Sequence, residues 1–138
     1  MKEILCFGDS NTYGLIPGTK ERYGRDTRWT GLLEQHLYEK GYRIIEEGLC
    51  GRTTVFEDEL REGRKGAALL PTLLESHAPI DRVVLMLGTN DCKSLYNASA
   101  EVIGLGIEQL LKQIRKIDSD TRISVSYTHL TLPTNSLV

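Results

Sequence analysis

The sequence has few residues of the types that build disulfide frameworks or metal centres. Its cysteines, Cys6, Cys50 and Cys92, are odd in number and widely spaced, and they contain no Cys-x-x-Cys pair. They therefore indicate reduced thiols and neither a disulfide framework nor a zinc site. No cluster of histidine, cysteine and carboxylate residues has the spacing of metal ligands. We predict no metal and no cofactor.

An excess of charge of one sign is also missing, as are long apolar runs. The 138 residues carry 17 Lys and Arg against 19 Asp and Glu, a net charge of -2, which excludes the basic surface typical of nucleic-acid and acidic-membrane binders. No apolar run is long enough for a signal sequence or a membrane span. The composition predicts one soluble, cytoplasmic domain that binds a small molecule, no nucleic acid and no membrane. Homo-oligomer formation stays open.

Short runs rich in apolar and β-branched residues predict buried strands. These runs are Ile4–Phe7, Arg43–Glu46, Arg82–Leu87 and Arg122–Val125. Helix patterns, with apolar residues at three- and four-residue steps, separate the strands. The alternation predicts an α/β fold with a parallel sheet, right-handed crossovers and helices on both faces. The strand order expected for such a flavodoxin-like sheet is 2-1-3-4-5.

Local signals suggest where the helices begin and end. Asp26-Thr27 predicts the cap of the first long helix and Gly41 its end, while Ser99 predicts the cap of the last. A helix over Ala67–Ser76 accommodates Pro71 only if that residue lies in the first turn. The charged stretch Glu57–Lys65 is most simply a solvated face.

Polar or glycine residues follow the first three predicted strands. Gly8-Asp9-Ser10 follows the first, Gly51 lies in the loop after the second, and Gly88-Thr89-Asn90-Asp91 follows the third. Taken alone, Ser10 is explained as a helix cap and Asn90 as a turn residue. In the order 2-1-3, however, these loops meet at one edge of the sheet, where α/β proteins place their chemistry. This convergence favours Ser10 as a nucleophile, and the irregular loop 13–25 is expected to wall a pocket beside it.

The three motifs resemble the first three sequence blocks of the SGNH (GDSL) hydrolase family. The longer runs Ile4–Ser10, Arg28–Leu32 and Met86–Asp91 resemble its bacterial arylesterase and acyltransferase branch. The resemblance implies a three-layer flavodoxin-like hydrolase fold. It covers the chain from about Lys2 to Ser124.

The resemblance also implies a role for each motif residue. Ser10 is implied as the nucleophile, and the backbone amides of Ser10 and Gly51 with the side-chain amide of Asn90 as the oxyanion hole. Donors fixed in advance around the carbonyl oxygen stabilise the negative charge that develops there. Asp9 and Asp91 are expected to support the loops through hydrogen bonds and not to react.

The base that the family uses, in a late Asp-x-x-His block, does not occur in the sequence. None of His36, His77 and His129 has an aspartate three residues before it. The tail, residues 125–138, resembles the in-frame translation of a transposase adapter used to prepare sequencing libraries. We therefore expect residues 1–124 to be the amino-terminal part of a single SGNH hydrolase domain, truncated after the fourth strand. By itself this fragment, without its catalytic Asp and His, is expected to be inactive.

The function predicted for the family member is hydrolysis of a small carboxylic ester by a serine nucleophile, as in arylesterases and acylesterases. Acyl transfer stays open, as do carbohydrate acetylesterase, lysophospholipase and thioesterase activities within the same family. A non-catalytic flavodoxin-like binding module is the alternative from a different class. The first loop lacks a glycine-rich phosphate cradle, which counts against that alternative.

Overall fold

Strands and helices alternate along the chain in the computed structural model, which describes residues 1–126. The strands are β1 (Lys2–Gly8), β2 (Tyr42–Gly48), β3 (Arg82–Met86) and β4 (Arg122–Ser126). The α-helices are α1 (Ser10–Tyr13), α2 (Trp29–Leu37), α3 (Gly66–Ser76) and α4 (Ala100–Ile117). Of the predicted tail, 125–138, the first two residues belong to β4, and residues 127–138 with His129 lie outside the described residues.

The strands form a parallel sheet in the order β2-β1-β3-β4. This order confirms the predicted 2-1-3-4 arrangement. The register sets Gly8, the last residue of β1, beside Gly48 of β2 and beside Met86 of β3. Because all three strands run in the same direction, the segments that follow them leave the sheet at one edge.

Helices cover both faces of the sheet, as predicted, because β1 is buried on both sides. Leu5 and Phe7 point toward α3 and α4 and form the larger core cluster with their apolar residues. Ile4 and Cys6 point to the other face, where they pack against α2. The alternating orientation of side chains along a strand thus produces three layers. Within residues 1–126, no helix is both long and apolar enough to cross a membrane.

The predicted cap of the first long helix is wrong, whereas the cap of the last is confirmed. Helix α2 begins at Trp29, and its N-cap residue is Arg28, whose side chain does not cap the helix. Instead, Arg28 Nε donates to Glu46 Oε2 at 2.6 Å and ties the start of α2 to β2. Gly41, with φ of 91°, ends the 3₁₀ turn that follows α2. At α4, Ser99 Oγ accepts a hydrogen bond from Val102 N at 3.2 Å.

The expected position of Pro71 is also wrong, because α3 begins at Gly66 and Pro71 lies in its second turn. Proline has no N–H, so the carbonyl of Ala67 loses its helical donor. Gln113 of α4 replaces that donor: its Nε2 donates to the Ala67 oxygen at 2.8 Å. A side chain from the neighbouring helix therefore satisfies the carbonyl that the proline leaves open.

Candidate active site

The segments after β1, β2 and β3 are linked to one another by hydrogen bonds at the carboxyl edge of the sheet. Leu49 N donates to the Gly8 oxygen at 3.2 Å and joins the second segment to the first. Asn90 Nδ2 donates to the Arg52 oxygen at 3.0 Å and joins the third segment to the second. The residues singled out in the sequence therefore stand on three connected segments.

Ser10 is the first residue of α1, directly after the end of β1. Asp9, only 1% exposed, caps this short helix through Oδ1, which accepts from Asn11 N at 3.2 Å. The helix lies directly against β2, since a Cβ on Gly48 would come within 2.2 Å of Tyr13 N. Backbone N–H groups in a first helical turn have no acceptor within the helix. Within residues 1–126, Asn11 N has Asp9 as its acceptor and Ser10 N has no acceptor.

The segment after β2 turns sharply at Gly51, whose φ is 86°. This left-handed conformation is easy for glycine and strained for other residues. Beyond the turn, the first turn of α3 fixes the segment, because Ala67 N donates to the Thr54 oxygen at 2.8 Å. The segment therefore has little freedom to move its backbone N–H groups.

Asp91 holds the same segment from the other side. It is fully buried, its Oδ1 accepts from Thr54 N at 3.0 Å, and its Oδ2 accepts from Thr54 Oγ1. Burial raises the pKa of Asp91, and the hydrogen bonds from Thr54 oppose that rise. A buried carboxylate with two donors is a rigid connection between the second and third segments.

Asn90 begins a 3₁₀ turn, Asn90–Cys92, after β3. An amide nitrogen carries two hydrogens, and the bond to the Arg52 oxygen uses one of them. The bond orients the Asn90 amide, and in the part of the chain that the structure describes its second hydrogen has no acceptor.

Arg52 is a buried cation that the sequence reasoning missed. It is 4% exposed, and its guanidinium carbon lies 4.2 Å from the centre of the Phe7 ring. Its Nη1 donates to the oxygens of Glu47 at 2.6 Å and Gly8 at 3.2 Å, which joins the ends of β2 and β1. Burial lowers the pKa of Arg52 to about 10, so the group stays charged at neutral pH. A sequence feature that could have pointed to Arg52 is its place directly after Gly51, in the run Gly51-Arg52-Thr53-Thr54.

The charged stretch Glu57–Lys65 is not simply a solvated face, and that prediction is wrong for part of it. Asp58 is only 8% exposed, and Arg64 Nε donates to the Cys50 oxygen at 3.1 Å. Arg61 lies against Gly51, since a Cβ there would come within 2.0 Å of Arg61 Nη2. The stretch folds back over the segment after β2, a contact that charge patterning alone does not reveal.

The segment between α1 and α2 walls a cavity of about 380 Å³ next to the residue that follows Ser10. Asn11, Leu15, Tyr23 and Trp29 are among its lining residues. Arg22 fixes the segment: its Nε donates to the Tyr13 oxygen at 2.6 Å, and its guanidinium carbon is 4.4 Å from the Tyr13 ring centre. This cavity lies where the sequence predicted a pocket wall.

The described histidines are not part of this arrangement. His36 lies in the last turn of α2, and His77 follows α3 with its Nε2 3.7 Å from Glu47 Oε1. Within residues 1–126, neither forms a hydrogen bond or ion pair with Ser10, Gly51 or Asn90. No group of His, Cys, Asp and Glu in the described part of the chain could hold a metal ion.

Comparison with known proteins places the chain in a family. The model of the GDSL-like lipase/acylhydrolase family matches residues 6–137. No curated protein matches the chain.

Several solved structures are similar. A carbohydrate acetylesterase family member from Sinorhizobium meliloti is 33% identical with a TM-score of 0.85, over 99% of this chain and 69% of that chain. The inhibitor-bound aryl esterase of M. smegmatis is 35% identical with a TM-score of 0.82, over 100% of this chain and 71% of that chain. A further crystal structure, 44% identical with a TM-score of 0.82, matches over 92% of this chain and 62% of that chain. The chain thus spans between 62 and 71% of these relatives.

Proposed function

Because the chain belongs to the GDSL-like lipase/acylhydrolase family, we propose that it supplies the nucleophile and the oxyanion hole of an ester hydrolase. Ser10 is the proposed nucleophile. The proposed oxyanion donors are the N–H groups of Ser10 and Gly51 and the side-chain amide of Asn90. The observation that carries the proposal is the register of Gly8 with Gly48 and Met86, because it brings the three segments to one edge.

The chemistry follows from these donors. When a serine oxygen attacks an ester carbonyl, negative charge moves to the carbonyl oxygen, and donors already in place stabilise it without further reorganisation. Thr54, Asp91 and Arg52 restrain the backbone that carries the donors. The restraint supports an oxyanion hole that exists before substrate binds.

A base must still take the proton of the Ser10 hydroxyl. We propose that residues 1–124 are the amino-terminal part of one hydrolase domain and that an Asp-x-x-His block later in the natural protein provides the base. The sequence contains no such block, and the chain covers only 62 to 71% of its relatives. The natural protein with that block is called the complete protein below. The 138-residue chain alone should have negligible Ser10-dependent activity.

The proposed substrate is a small carboxylic ester. Two similar structures are named as an aryl esterase and a carbohydrate acetylesterase, which supports short acyl groups on an aromatic or sugar alcohol. A panel of 4-nitrophenyl esters of increasing acyl length, an acetylated sugar, a lysophospholipid and a thioester would rank these alternatives and the lysophospholipase and thioesterase activities. Addition of a second alcohol would detect acyl transfer.

The experiment that tests the proposal measures hydrolysis of 4-nitrophenyl acetate by the complete protein. Ser10→Ala should lower kcat by more than about 10⁴-fold, because the nucleophile is lost. Asn90→Ala should lower kcat by about 10² to 10³-fold, the usual effect of removing one oxyanion donor. The matched control is Ser94→Ala, an exposed serine on the segment after Asn90, which should leave kcat unchanged. Equal rates for wild type and Ser10→Ala would refute the proposal.

A further inference from the structure

The cationic side chain of Arg61 occupies the space that a side chain at position 51 would fill. A Cβ on Gly51 would come within 2.0 Å of Arg61 Nη2 and 2.7 Å of its guanidinium carbon. The guanidinium therefore lies directly on the face of the residue whose N–H is a proposed oxyanion donor. That space is open because glycine has no side chain, and the φ of 86° at Gly51 is strained for other residues.

Within residues 1–126, the side-chain contact that holds the Arg61 guanidinium is made at its Nε. Asp58 Oδ2 lies 3.5 Å from Arg61 Nε. Asp58 itself is fixed, since it is 8% exposed and its Oδ1 accepts from Leu60 N at 2.9 Å. Arg61 N also donates to the Asp58 oxygen at 3.2 Å. These contacts place the guanidinium but engage only its Nε side.

The two Nη groups of Arg61 lie on the Gly51 side of the guanidinium, since a Cβ on Gly51 would come within 2.0 Å of Nη2 and 3.2 Å of Nη1. Within residues 1–126, no side chain or carbonyl accepts a hydrogen bond from either group, and the side chain is 41% exposed. A planar guanidinium with two free Nη groups can donate two parallel hydrogen bonds to a carboxylate, a geometry that neutral groups match poorly.

The geometry points to Arg61 as a specificity-determining residue that binds a carboxylate on the ester substrate beside Gly51. This inference rests on the proposed function and adds the substrate class: an ester that carries a negative charge near the reacting carbonyl. The charge can belong to the acyl group or to the alcohol, because the guanidinium flanks the proposed oxyanion position and not one particular side of the ester.

The first test measures binding and needs no hydrolysis. The affinities of the complete protein for benzoate and benzamide, probes of like shape and different charge, are obtained from NMR shifts of the Gly51 amide. Benzoate should bind at least about tenfold more tightly, the contribution of a charge-assisted hydrogen bond. Arg61→Gln should abolish that advantage and Arg61→Lys should restore part of it. Equal affinities in wild type, or an advantage that survives in Arg61→Gln, would overturn the inference.

Arg43→Gln is the matched control for this test. Arg43 is likewise exposed, at 57%, and its Nη1 lies 3.8 Å from Glu3 Oε1, but it is in the first part of β2, away from Gly51. The benzoate advantage should be intact in Arg43→Gln. Loss of the advantage in both variants would show a general effect of protein charge and would reject a site at Arg61.

The second test separates this inference from the proposed function and locates the charge. The esters are 4-nitrophenyl acetate, mono-4-nitrophenyl succinate with the carboxylate on the acyl side, and 4-acetoxybenzoate with it on the alcohol side. Arg61→Gln should lower kcat/KM for one anionic ester about tenfold more than for the neutral ester, mainly through KM. An equal decrease for all three would reject a specificity role. Absence of Ser10-dependent hydrolysis in wild type would reject the proposed function while the benzoate result still decides the role of Arg61.

Discussion

Individual residues outside the proposed machinery determine how rigid the site is. The backbone of Thr54 donates to Asp91 through its N–H at 3.0 Å and accepts from Ala67 N at 2.8 Å. Arg52 accepts from Asn90 at 3.0 Å through its carbonyl while its guanidinium joins β1 and β2. An oxyanion hole is effective only when its donors are fixed beforehand. The rigidity of this edge therefore depends on Arg52 and Thr54 as well as on the proposed donors.

The cysteines should differ sharply in reactivity. Cys6 is fully buried in β1, and burial raises the pKa of its thiol to about 12, whereas Cys92 is exposed. Since the thiolate is the reactive form, an aromatic disulfide reagent at about pH 8 should modify Cys92 rapidly and Cys6 only after unfolding. Peptide mapping after timed quenching measures both rates. Because Cys50 is partly exposed, the comparison uses a Cys50→Ser background, in which Cys92→Ser should remove the rapid reaction. Equal modification of Cys6 in the native protein would contradict the expectation.

At the scale of elements, helix α3 depends on helix α4 for one backbone hydrogen bond. Gln113→Ala would leave the Ala67 carbonyl without its 2.8 Å donor. The free energy of unfolding should fall by about 1 to 3 kcal/mol, the usual cost of an unsatisfied buried group. In a Pro71→Ala background the same change should cost less, because the alanine would have an N–H to donate within the helix. Urea unfolding of the four proteins measures the coupling. An identical cost in both backgrounds would contradict this explanation.

The contact between α2 and β2 should make stability depend on pH. Hydrogen bonding from Arg28 is the main cause that lowers the pKa of Glu46 from 4.5 to about 2. A carboxylate with a lowered pKa in the folded state stabilises the protein above its ordinary pKa, and the contribution disappears as pH falls toward 2. We expect Glu46→Gln to cost up to about 3 kcal/mol near about pH 6, and less near about pH 3.

Urea unfolding at both pH values measures this difference. Glu39→Gln is the control, since Glu39 is exposed in the turn after α2, and its effect should be small at both values. A cost of Glu46→Gln that is the same at both pH values would show that the ion pair does not contribute in this way.

For the molecule as a whole, the sequence was sufficient to predict the order of the strands and helices and the edge of the sheet at which the segments of the site meet. Apolar runs predict the strands because a strand that is buried on both faces of the sheet has apolar residues at successive positions. The contacts of Arg61 with Gly51 and of Gln113 with Ala67 could not be predicted, because each joins residues that no local pattern relates. The N-cap of α2 was missed for the same reason. The helix begins after Arg28, whose side chain donates to Glu46 on β2, a strand that comes later in the chain.

If Ser10 is the nucleophile of an ester hydrolase, a reagent specific for activated serines should label it covalently. The complete protein is treated with a fluorophosphonate, which reacts with activated serines, and the modified peptide is identified by mass spectrometry. We expect one modification, on Ser10, that is absent from Ser10→Ala and retained in Ser94→Ala. No label on Ser10 would contradict the claim and favour a non-catalytic binding module.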